Sequence, residues 1–224
     1  MILAGVDGCR GGWIAVLHDR AAASWRIALA ARWDELPDAD RIAVDMPIGL
    51  PDSGRRGCDF AARCLLGPRR SASVFIGLRR PLLAFATYAE ANAWGKADRA
   101  GLAKQAWFLL PRIAEIDRAL TPDDQDRIHE SHPELAFLRL HGGPVAESKR
   151  TPEGLAIRRA LLERAGVPVA ALFEGLDRRR AAADDLLDAA VLVLTATRIA
   201  DGTATCLRAE PPRDARGLRM EIWY

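Results

Sequence analysis

The chain has 224 residues, half of them hydrophobic, with a formal net charge of +2. That is enough to bury a full core in one domain carrying a helical insertion, and the near-balanced charge excludes a protein that coats nucleic acid by bulk positive charge. No stretch approaches the roughly 20 apolar residues of a membrane span, and the four cysteines show neither C-x-x-C pairing nor histidines at zinc-ligand spacing. A soluble, cytoplasmic protein with reduced thiols and no membrane partner is the expectation.

Residues 2–17 read as a hairpin: apolar, strand-favouring runs on either side of Gly8, Gly11 and Gly12, the first run ending on Asp7. A carboxylate at the mouth of a sheet either binds a cation or accepts backbone N–H groups within its own turn. Residues 24–31 alternate as a third strand, with Trp25, Ile27 and Leu29 on one side, so an antiparallel meander is predicted. The segment from Arg41 to Leu50 repeats the opening pattern, a short apolar strand with Asp45 at its end. Set side by side, the two strands would bring Asp7 and Asp45 together.

From residue 54 to about 120 the periodicity turns helical, with helices predicted over 58–66 and 102–120, the second complicated by Pro111. Between them, 71–91 reads as a loop with apolar anchors, a lid or simple packing. Residues 54–80 hold seven arginines against one acid, Asp59. Arg55, Arg69 and Arg70 there, with Arg10 in the hairpin turn, are candidates for substrate phosphate or else members of a solvated face.

Glu130 stands at the end of a short strand, free to serve as a further acid. Ser131 and Glu134 have the spacing of a capping box ahead of a helix through Phe137 and Leu140. His129 and His132 read as structural hydrogen-bonders. Thr151 and Pro152 open another helix ending near 165, and Lys149 before it could meet an anion, or sit in a solvated loop. Residues 181–195 make the last helix, where Asp184 and Asp185 flank Asp188 by about 40° and 60°, so all three carboxylates share one arc. Asp184 suits the helix dipole, whereas Asp188 leads into an apolar run and is a candidate metal ligand.

This order of acids resembles the RNase H-like fold, and the segments GVDGCRGGWIAV, DMPIGLP, RRGCDFAAR, ESHPE, SKRTPEG and DDLLDA resemble the bacterial family of predicted RNase H-like nucleases. The resemblance implies an α/β fold, a mixed five-stranded sheet with helices on both faces and a mainly helical insertion at about 51–125. It implies a nuclease in which two Mg²⁺ or Mn²⁺ ions hold the scissile phosphate of a nucleic acid. By position, Asp7 would bridge both ions, Asp45 would complete one shell, and Asp188 or Asp185 the other, with Glu130 an additional acid. Two other readings stand beside it: an actin-like-fold nucleotide-binding phosphotransferase, and a non-catalytic nucleic-acid-binding module.

Overall fold

The computed structural model describes residues 1–98 and 101–224. The opening sequence forms the predicted meander: β1 (Ile2–Cys9), β2 (Gly12–Asp19) and β3 (Ser24–Ala30) run antiparallel in turn. β4 (Arg41–Val44) lies parallel to β1, and β5 (Ile128–Glu130) parallel to β4, giving a mixed five-stranded sheet in the order β3-β2-β1-β4-β5. α1 (Gly57–Arg70), α2 (Tyr88–Ala97) and α3 (Lys104–Ala119) fill the connection from β4 to β5. α4 (Pro133–His141), α5 (Pro152–Arg164), α6 (Val169–Glu174) and α7 (Ala183–Ala200) follow it.

Two local expectations need correction. The segment predicted as a loop over 71–91 stays outside α-helix and strand as far as Thr87 and only its last four residues enter α2, because Thr87 and Glu90 form a reciprocal cap: Glu90 N donates to Thr87 Oγ at 3.3 Å and Thr87 N to Glu90 Oε2 at 3.2 Å. Pro111, expected to begin a helix or kink one, does not begin it: α3 continues through Pro111, with Ala106, Leu110, Ile113 and Ile116 buried on either side.

Side-chain alternation divides the sheet into two faces, each with its own core. Leu3, Ile14, Val16 and Ala43 point to α7, α4 and α5, while Ala4, Val6, Trp13, Ala15, Leu17, Ile42 and Val44 point to α3 and the 78–91 region. α7 is buried through most of its length, from Leu186 to Val193 without interruption. That suits a helix apolar all round, and each Leu or Val so buried contributes roughly 1.5–3 kcal/mol. Among the described residues no helix is long and apolar enough to cross a membrane. Cys9, Cys58, Cys64 and Cys206 are free thiols.

Candidate active site at the carboxyl ends of the parallel strands

The last paired residues of β1 and β4 are Val6 and Val44, and Asp45 N donates to Val6 O at 2.9 Å. Asp7 and Asp45 therefore follow as neighbours across strands about 4.8 Å apart. By alternation they share the face of Gly5 and Ala43, the face α7 covers. Asp7, 6 % exposed, accepts Gly8 N on Oδ1 at 2.7 Å, so the turn role expected of it is real but occupies one oxygen. Neither Asp7 nor Asp45 is ion-paired among the described residues. Burial raises Asp7 well above the carboxylate range, with Asp45 and Asp188 adding to the rise and Lys149 opposing it. Burial also raises Asp45, against the pull of His132 and Lys149.

α7 brings Asp188 to the same place. Gly5 makes this possible: a Cβ there would lie 2.0 Å from Ala189 O. Asp188 is 1 % exposed and accepts a short, charge-assisted bond from Lys149 Nζ, which also stands 4.0 Å from Asp184 Oδ2. Burial pushes Asp188 up to about 6 despite that lysine. For Lys149, burial alone would lower the ammonium, yet Asp188, Asp7 and Asp45 outweigh it and hold it above the ordinary lysine range. Asp185 lines the cleft too, but its Oδ2 accepts Ala182 N at 2.9 Å and caps the helix.

Lys149 does not ride on a solvated loop. Arg70 Nε donates to Val145 O at 2.7 Å, Arg70 Nη2 to Glu147 O, and Arg158 Nη1 to Glu147 O at 3.0 Å. Gly154 lets α5 press against the same segment, where a Cβ would meet Ser148 O at 1.9 Å. Arg70, a candidate phosphate ligand by sequence, is thus spent on backbone carbonyls.

Glu130 pairs with Val44 in the ladder, which turns it to the opposite face from Asp45. There its Oε2 accepts Ile48 N at 2.7 Å and a short bond from the buried Arg56, fixing the strand-to-helix crossing after β4. Burial pushes it up to about 8, with Arg56 pulling down. Glu130 reaches the cleft wall, yet one oxygen already has two donors. Glu134 does not complete the expected capping box; Arg158 grips it in a bidentate pair at 2.8 and 3.0 Å. The cap of α4 is His132, whose Nδ1 accepts Glu134 N at 3.2 Å while Nε2 faces Ser73 O at 3.3 Å. Both ring nitrogens are engaged, which agrees with a structural histidine.

The acids line a cleft of about 390 Å³, a volume suited to a small ligand or part of a polymer. Asp7, Asp45, Asp185, Asp188 and Lys149 form one wall and Val74, Phe75, Leu78 and Leu109 another. Arg10 and Arg69 are exposed and stand outside the lining, as does Arg55, which lies 5.8 Å from the Phe60 ring. The sequence reading misses Arg56, Arg158 and Arg112. The last of these binds Gly12 O at 3.0 Å and Cys9 O, and so braces the turn that follows Asp7. The Arg56-x-x-Asp59 spacing is the one local hint, since Arg56 also pairs with Asp59 at 3.5 Å.

Among the described residues no three or more His, Cys, Asp or Glu side chains form a ready-made metal cage. A hard divalent cation does not require one: Mg²⁺ keeps several waters and binds through one or two carboxylates plus substrate phosphate. Asp7 Oδ2 and the Asp45 carboxylate offer such oxygens, with no paired cation among the described residues. The donor set fits Mg²⁺ or Mn²⁺. Asp188, expected as a further ligand, holds Lys149 instead.

Compared with known proteins, residues 5–213 match the family model described as "Protein of unknown function (DUF429)". No curated protein and no solved structure matches the chain.

Proposed function

Because the chain belongs to DUF429, a family without an assigned activity, the reading rests on the cleft, and we propose a divalent-metal-dependent phosphodiesterase acting on nucleic acid through an RNase H-like site. The observation that carries it is the adjacency of Asp7 and Asp45 at the ends of parallel strands, with Asp188 presented by α7 on the same face. The strand order, with one antiparallel meander extended by two parallel strands, supports the fold part of the proposal.

In this reading Asp7 and Asp45 hold Mg²⁺ or Mn²⁺. A bound ion supplies Lewis-acid polarisation of the phosphate and lowers the pKa of a nearby water. The protein's own groups do the rest. Arg112 and the Gly8 amide fix Asp7, Arg56 and Glu130 fix the crossing after Asp45, and the apolar wall of Val74, Phe75 and Leu78 limits water. Lys149 faces the phosphate. Exposed Arg10 and Arg69, with Arg150 on the cleft rim, offer charge to a polymer backbone beyond the cleft.

The test is cleavage of single- and double-stranded DNA, RNA, an RNA–DNA hybrid and a four-way junction with Mg²⁺ or Mn²⁺. Metal-dependent cutting that both Asp7→Asn and Asp45→Asn abolish is expected. Folded protein that cuts none of these substrates with either ion defeats the reading.

A further inference from the structure

We propose that this cleft binds one divalent cation, at Asp7 and Asp45, and that the Lys149 ammonium provides the site's second positive charge at Asp188. The inference rests on the phosphodiesterase reading and departs from the two-ion arrangement that the family resemblance implies.

The acids are not equivalent. Among the described residues Asp7 and Asp45 have no cation in contact, whereas Asp188 holds Lys149 in a short ion pair at a position 1 % exposed. A second ion at Asp188 would either displace that ammonium from a buried partner or share the carboxylate through Oδ1, with two cations crowded at one buried group. Three carboxylates and one ammonium leave two negative charges, which one divalent ion neutralises. Asp184, 4.0 Å from Lys149, and Asp185, whose Oδ2 accepts Ala182 N, are only half-buried in the first turn of α7, where solvent and the helix's amide end offset their charge.

Lys149 is also placed by construction. Arg70 and Arg158 grip the carbonyls of Val145 and Glu147, Thr151 N and Oγ both bond Ser148 O at 3.0 Å, and Gly154 admits α5 against that carbonyl. Two buried or half-buried arginines spent on one short segment are hard to explain if its lysine only decorates a loop. An ammonium has three N–H donors and Asp188 takes one, so Lys149 can hold Asp188 and still donate to a non-bridging phosphate oxygen.

Counting Mn²⁺ bound to metal-free protein, by electron paramagnetic resonance of the free ion during titration, tests this without any turnover. The wild type is expected to take one ion per chain, Asp7→Asn none, Lys149→Arg one, and Lys149→Met two. Two ions in the wild type overturn the inference, as does a Lys149→Met protein that stays at one. The wild-type count is decisive by itself, so a Lys149→Met chain that fails to fold leaves the test intact. No Asp7-dependent ion at all sinks both this inference and the reading beneath it. One Asp7-dependent ion with no cleavage of the nucleic-acid panel defeats the nuclease reading alone and leaves the cation count standing.

Discussion

A Cβ on Gly5 would sit 2.0 Å from the carbonyl oxygen of Ala189 and 2.5 Å from the amide nitrogen of Val193. Both obstacles are helix backbone, which cannot rotate away as a side chain can, and the contact lies two residues before Asp7 and one after Asp188. Gly5→Ala should therefore cost at least about 3 kcal/mol and separate the acids it no longer lets meet. Urea unfolding checks the first part. A loss under about 1 kcal/mol would show that α7 shifts freely and that this approach does not set the site.

Glu134 and Arg158 are buried together, and Arg158 also ties down the Lys149 segment. Removing Arg158 leaves Glu134 buried with only Arg70 at 3.9 Å to offset its charge, so Arg158→Met is expected to lower stability by about 3 kcal/mol. Adding Glu134→Leu should recover much of that loss, since replacing both charges removes the desolvation penalty. If the double variant is as unstable as the single one, the pair acts through something other than its mutual charge.

Asp45 and Glu130 end neighbouring strands, yet alternation turns them to opposite faces, which predicts opposite behaviour on neutralisation. Asp45→Asn removes a charge that burial opposes; without metal it should melt about 2–4 °C higher, the size of ~1 kcal/mol in a chain of this length, and lose its stabilisation by Mg²⁺. Glu130→Gln breaks the pair with Arg56, and should lose about 2–3 kcal/mol while keeping the Mg²⁺ response. Melting both with and without Mg²⁺ decides. Equal loss of the Mg²⁺ response in the two would place Glu130 among the ligands after all.

The acids that meet are legible in the chain because each ends a short apolar run, and strand order follows from the antiparallel meander and the repeat of its pattern at β4. Parity is not legible. Whether Glu130 joins Asp45 depends on a register offset of one residue in a strand three residues long, and no composition signal fixes that. The arginines fail for a different reason. Arg55 and Arg56 are adjacent and chemically identical, but in the extended backbone just before α1 only Arg56 turns inward to meet Glu130, so one is buried and the other exposed. Lys149 is hidden because its partner is 39 residues away, brought close only when α5 docks on its own segment.

The last prediction concerns His129, which follows Ile128 in β5 and is 6 % exposed. Among the described residues neither ring nitrogen makes a well-formed hydrogen bond, and the ring stands edge-on to Trp223 with centroids 5.7 Å apart. Burial lowers it to about 4; Glu221 and a weak approach of the Asp126 backbone pull the other way, and Arg219 and Arg41 reinforce the fall. In the unfolded chain the same imidazole titrates near ~6.5. The folded state thus binds the proton less readily, so this contribution is fully present above pH 6.5 and is lost as pH falls toward 4, on the order of 3 kcal/mol in all. His129→Met should flatten the fall in unfolding free energy between pH 6.5 and 4.5, while the carboxylates common to both proteins cancel in the difference. Parallel curves through that window would mean that the ring finds a proton acceptor in the folded state and that its burial is not what depresses it.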